Sequence, residues 1–243
     1  ANIAKIAAWG YDGVELAVRD PSLVDGEELS RVVQAHGLDV PALGTGQAWG
    51  EEGLSFTSAD PDTRAAAIAR IQSHIPLAAQ LNAIIIIGLI RGITPAGQTH
   101  TESMAYFAEA MYACASAAQS EGVKLAIEPL NRYETDLLHT TAEGLAFLDE
   151  VGLDNAGLLL DTFHMNIEEP SIHESIRRCG NRIFHFHIAD SNRWYPGAGH
   201  LDFGAILGTL EATDYRGYVS GEFLPLPDAD TAAARSIAHL RTL

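Results

Sequence analysis

Short apolar runs alternate with longer amphipathic stretches along the whole chain. Runs of six to eight residues fall at 13–18 (GVELAV), 38–44 (LDVPALG), 83–90 (AIIIIGLI) and 123–129 (VKLAIEP). Three more follow at 156–161 (AGLLLD), 182–189 (RIFHFHIA) and 218–223 (YVSGEF). Such runs, bounded by polar and turn-forming residues, predict strands. Between them, apolar positions at helical spacing predict helices over 27–36, 62–81, 103–121, 142–150, 173–179, 205–212 and 231–240. Residues 1–9 also read as a helix, with Ile3, Ile6 and Ala7 on one face. Start signals support two of these helices: Asp60-Pro61 before the third stretch, and Thr140 with Glu143 before the fifth. Gly37, Gly122, Gly152 and Gly180 stand where helices should stop.

Strands alternating with helices imply a parallel sheet, and no linker or low-complexity stretch divides it. The reading is one α/β domain over residues 1–243, a (β/α)8 TIM barrel. The count of seven strands and eight helices falls one strand short, because such a chain should open on a strand. The expectation is that a first strand of roughly ten residues precedes Ala1 and is missing from this sequence.

Candidate chemistry enters at the strand ends. Four consecutive runs finish on a group able to bind a divalent metal: Glu128, Asp161, His187 and Glu222. Side chains alternate along a strand. That parity turns Lys124, Ala126 and Glu128 inward, then Gly157, Leu159 and Asp161, then His185 and His187, and last Tyr218, Ser220 and Glu222. Phe184, Phe186 and Ile188 are assigned to the helix-facing side. Carboxyl ends of barrel strands meet on one rim, so the four groups should converge. One acid ending a strand often just caps the next helix; four in register are hard to explain that way. Three carboxylates and an imidazole suit a hard ion, Mn2+ first, with Mg2+ or Co2+ as alternatives.

The segments IEPLNRYETD, LLLDTFHMNIEE, HFHIADSNRWYPGAGHLDFGAI and GYVSGEF resemble the sugar isomerase/epimerase superfamily with the xylose-isomerase-like barrel. Within it, the chain is most similar to the D-tagatose 3-epimerase and D-psicose (allulose) 3-epimerase group, and the likeness extends to GYDGVEL and LSFTSADPDTRAAAI. The resemblance implies a metal-dependent epimerase that inverts C3 of a free ketose through a cis-enediolate. It places the ion on Glu128, Asp161, His187 and Glu222, and makes Glu128 and Glu222 the acid/base pair. It further implies substrate contacts from Glu134, His164 and Arg193, and assembly into dimers or tetramers. Alternatives on the same fold are hydroxypyruvate isomerase, sugar-phosphate epimerase and inosose isomerase or dehydratase.

A net charge of −17 argues against a nucleic-acid partner and, with it, against a DNA-repair endonuclease on this barrel. The two cysteines, Cys114 and Cys179, make no disulfide framework, which points to a reducing cytoplasm. The apolar run at 83–90 is too short to span a bilayer. Among other conspicuous residues, His185 reads as a packed barrel residue and Glu15 as inward-facing with a structural or pocket-floor role. Arg91, Trp49 and Trp194 are placed at the rim, His200 before a helix, and Lys124 at the barrel bottom.

Overall fold

The seven apolar runs lie side by side as seven parallel strands. A computed structural model describes residues 2–243; Ala1, where the predicted opening helix begins, lies outside them. The strands are β1 (Leu16–Ala17), β2 (Ala42–Gly44), β3 (Ile84–Ile87), β4 (Leu125–Ile127), β5 (Ala156–Asp161), β6 (Ile183–Ile188) and β7 (Val219–Gly221). They pair in strict chain order, and β1 and β7 form the two sheet edges among the described residues. This is the TIM-barrel arrangement one strand short of closure.

Helices α1 (Asn2–Trp9), α2 (Gly26–Ala35), α3 (Gln47–Glu52), α4 (Pro61–Leu81) and α5 (His100–Gln119) accompany the first half. Helices α6 (Thr141–Val151), α7 (Thr162–Glu168), α8 (Ile172–Cys179), α9 (Phe203–Glu211) and α10 (Ala229–Leu240) complete the outer layer. The predicted start signals work as read. The Asp60 carboxylate accepts from the Asp62 and Thr63 N–H groups, and Thr140 forms a full capping box with Glu143. Gly37, Gly122, Gly152 and Gly180 all adopt positive φ. Two short helices, α3 and α7, were not predicted. No described helix is long and apolar enough to cross a membrane.

Outward strand residues such as Leu125, Ile127, Leu158 and Leu160 join the large core beneath the helices. A second, smaller cluster fills the ring interior: Ala42, Ile86, Ala126 and Leu159, packed by Ile84 and Phe184. Phe184 corrects the predicted parity. The β5–β6 register slips between Leu158 and Leu159, so that Leu158 faces Ile183 while Leu159 faces His185. A bulge of this kind leaves one extra residue on its strand, and Phe184 is that residue, turning inward beside His185. Its ring occupies the space over Gly157, where any Cβ would stand 2.4 Å from Phe184 Cγ. The bulge keeps His187 opposite Asp161. It therefore sets the height of both at the rim.

Candidate metal centre

Glu128 directly follows β4, Asp161 ends β5, His187 is the penultimate residue of β6, and Glu222 directly follows β7. The three carboxylates converge, with His164 completing the close quartet where His187 was predicted, and His187 stands beside it, grouped with Glu15 and His185. Ligand atoms of Glu128, Asp161, His164 and Glu222 all lie within 4.8 Å of one another. His187 Nδ1 is 3.5 Å from Glu222 Oε2 and 4.0 Å from Glu128 Oε1. His164 Nε2 is 3.7 Å from Glu128 Oε1. Four of these atoms, Glu128 Oε1, Asp161 Oδ2, His164 Nε2 and His187 Nδ1, are buried with no hydrogen-bond partner. Buried polar atoms are almost always paired, so four orphans facing one point define a binding centre. Ligands held about 2.1 Å from one ion stand roughly 3 to 4 Å apart, and the donor set fits such an ion with small inward shifts.

Two histidines reach this point, and their outer hydrogen bonds distinguish them. His164 Nδ1 accepts from the Asn131 backbone N–H at 3.3 Å and from Asn131 Nδ2 at 2.8 Å. A backbone N–H can only donate, so Nδ1 holds a lone pair and the neutral ring carries its proton on Nε2, facing the centre. His187 is the reverse. Its Nε2 lies 2.8 Å from Glu15 Oε2, an acceptor, which leaves Nδ1 as the nitrogen turned to the carboxylates. His164 thus offers the centre a donor, and His187, once its Nδ1 proton has left, offers it a lone pair. Asn131, fully buried and not singled out in the sequence, is the residue that sets the His164 tautomer.

Crowded carboxylates resist ionisation here. Burial, with the Glu222 charge added, drives the Glu128 carboxyl well above the usual range. The same causes push Asp161 up to about 7. Burial brings His164 down to about 4, keeping it neutral. Burial opposes charge on His187, but the Glu15 and Glu222 carboxylates outweigh it and raise the imidazole well above its ordinary value. At Glu222 desolvation is likewise overcome, by the neighbouring His187, and its carboxyl falls. The raised carboxyls of Glu128 and Asp161 lack a compensating positive charge, which is what a bound divalent cation would provide.

Beside the centre lies a cavity of about 90 Å³ lined by Glu134, His164, Arg193, Gly88, Leu89 and Leu130, among others. Arg193 Nη1 donates to Glu134 Oε1 at 2.7 Å, and Asn131 Nδ2 donates to the same oxygen at 2.9 Å. The Arg193 guanidinium also stacks over the Phe163 ring at 4.8 Å. Its backbone is left-handed, with φ of 61°. All three predicted substrate-contacting residues therefore line one cavity. Arg91 follows β3 at the strand's carboxyl end, as predicted, but is not free to bind an anion. It is fully buried, and its Nη1 donates to the Glu128 carbonyl oxygen. His200 is exposed and pairs with Ser191, outside the centre. Lys124 lies at the barrel bottom, over the Phe184 ring.

Gly88 is a further member of the site. A Cβ there would stand 2.9 Å from Glu128 Oε2. Gly88→Ala is expected to push the carboxylate aside and lower turnover about 100-fold or more, since misplacements near 1 Å have that effect. Steady-state kinetics beside a urea melt checks this, and unchanged turnover would show that the carboxylate tolerates the shift.

Seven parallel strands with acid and imidazole groups gathered at their carboxyl ends define a class, and comparison with known proteins agrees. Residues 3–243 match the xylose isomerase-like TIM barrel model, and the chain belongs to that family. It is 34% identical over 245 residues to the L-ribulose 3-epimerase of Methylomonas sp. (strain DH-1), covering 99% of this chain and 84% of that protein. It is 33% identical over 221 residues to the D-psicose 3-epimerase of Agrobacterium fabrum, covering 89% of this chain and 76% of the relative. The crystal structure of a D-allulose 3-epimerase from Methylomonas sp. in complex with D-allulose superposes with a TM-score of 0.86 at 31% identity. That match covers 99% of this chain and 89% of the other. The protein is a ketose 3-epimerase-like isomerase.

Proposed function

We propose that the protein inverts C3 of a free ketose, with Glu128 and Glu222 as the acid/base pair and Glu128, Asp161, His187 and Glu222 as ligands of one divalent cation. The observation that carries this reading is the set of four buried, unpartnered polar atoms directed at one point between two glutamates from different strands. Mn2+, Mg2+ or Co2+ would polarise the substrate carbonyl there and acidify the neighbouring C3–H.

The remaining roles follow from the side chains. One glutamate takes the C3 proton and leaves a cis-enediolate; the other returns a proton to the opposite face, which inverts the carbon. His187 serves as a ligand because its Nδ1 can present a lone pair. His164 and Arg193 can only donate toward the cavity, which suits the O1–O2 end of the sugar. Glu134, held by Arg193 and Asn131, orients O1. Among the described residues lining the cavity, Arg193 is the one with a permanent positive charge, which favours an unphosphorylated sugar. The buried free thiols of Cys114 and Cys179, raised to about 12 by burial, suit a reducing cytoplasm.

The test is incubation with a panel of ketoses and Mn2+ in D2O, read by NMR. Deuterium at C3 together with the C3 epimer is the expected result. Deuterium at C1 with an aldose product would instead mark an aldose–ketose isomerase and overturn the proposal.

A further inference from the structure

Glu15 stands immediately before β1, and its Oε2 is 2.8 Å from Nε2 of both His185 and His187. The residues are 170 and 172 positions apart in sequence, and the carboxylate reaches them across the ring interior. His185 Nε2 has a second neighbour, Ser220 Oγ at 3.1 Å. An ionised carboxylate has acceptors only, so both imidazoles must carry a proton on Nε2 to satisfy it. For His187 that choice has a chemical result, because the proton held on Nε2 leaves Nδ1 free to face Glu128 and Glu222.

We infer that Glu15 is a positioning residue of the metal centre: it fixes the tautomer and ring angle of His187, while His185 holds the shared carboxylate oxygen from below. The inference rests on the reading of His187 as a ligand. Histidine ligands commonly donate their outer N–H to a carboxylate, and loss of that partner lowers metal affinity roughly 10–100-fold. Without Glu15, the His187 ring is free to take the Nδ1–H tautomer, which has no lone pair for a cation. His185 is hydrogen-bonded as the sequence reading expected, and here its partner is functional. The competing reading is a strut that ties the edge strand β1 to β6. A strut affects stability of the metal-free protein and leaves cation affinity alone.

The experiment measures Mn2+ binding by calorimetry on metal-stripped wild type and Glu15→Gln, together with the visible spectrum of the Co2+-loaded forms. Glutamine keeps the size of the side chain but cannot accept from two N–H groups through one charged oxygen. The expected result is Mn2+ affinity about 10–100-fold weaker in Glu15→Gln, with a changed Co2+ band. Wild-type affinity within twofold and an unchanged Co2+ spectrum would overturn this inference while leaving the metal centre standing. If wild type binds no Mn2+, the metal reading and this inference both fall. A second measurement needs no variant: nitrogen-15 histidine spectra of the Mg2+-loaded wild type should show His187 protonated on Nε2. Protonation on Nδ1 would sink the inference even if Glu15→Gln failed to fold.

Discussion

Glu222→Gln is expected to lower epimerisation by about 10²–10⁴-fold, the usual contribution of a positioned acid or base. The fold should survive, because the Glu222 side chain is 46% exposed and the amide is nearly isosteric. Glu128→Gln should lose activity to the same extent, although its environment differs: the Glu128 side chain is 7% exposed. The two variants can be distinguished without product formation. Each retains one glutamate, so each should still wash deuterium into C3 of the epimer whose C3–H faces the surviving carboxylate, at a reduced rate. Removing both should stop exchange and turnover together, and far from additively. Full activity in either single variant would remove that residue from the acid/base pair.

Thermal stability should respond to cation and pH in a linked manner. Asp161 titrates near 7 in the folded chain against an ordinary value of 3.8, and Glu128 is raised as well. A carboxyl whose folded value is raised binds its proton more tightly when folded. Its stabilisation is complete below the unfolded value and is lost as pH climbs through the folded one. His187, also raised, acts in the same direction above its ordinary value of 6.5. The lowered carboxyl of Glu222 acts oppositely and affects only the acid side, below about its ordinary value of 4.5. His164 and His185, both lowered by burial, act oppositely below their ordinary value of 6.5. The metal-free protein should therefore melt at lower temperature as pH rises from about 6.5 to 8. Mn2+ displaces the same protons, so its stabilising effect should grow over that range. Scanning calorimetry with chelator and with excess Mn2+ checks both statements. A Mn2+ effect equal at pH 6.5 and pH 8 would mean the ion does not compete with these protons.

Much of this was legible because the periodicities that form strands also place their ends. All seven strands fall inside the predicted runs, and the four ligand candidates could be read from strand ends plus parity. Parity failed only where a bulge intervened, at Phe184, because an irregular register leaves no local mark in an apolar run. The helix α7 escaped notice because it starts with no loop at all. Asp161 closes β5 and at once caps α7, its carboxylate accepting from the Phe163 N–H at 2.7 Å. The helix α3 was hidden by Gly46, Gly50 and Gly53, which read as a turn. Roles set by contacts between distant segments were the least visible. Arg91 follows an apolar run at the rim, where it read as open to solvent or an anion, yet its guanidinium is buried against the Glu128 carbonyl. Glu15 and Asn131 act through histidines whose tautomers no spacing rule encodes.

The left-handed backbone at Arg193 carries a consequence for engineering. The turn is clamped on both sides: Arg193 N–H donates to Asp190 O, and the Leu224 N–H donates to Arg193 O, each at 2.8 Å. A residue bearing a Cβ holds that conformation at a cost of about 1–2 kcal/mol, and glycine would relieve most of it. The scaffold by itself would favour glycine at 193, whereas the substrate contact proposed for Arg193 calls for a guanidinium there. Selection for heat resistance alone would thus drift toward a sturdier, inactive protein at this position.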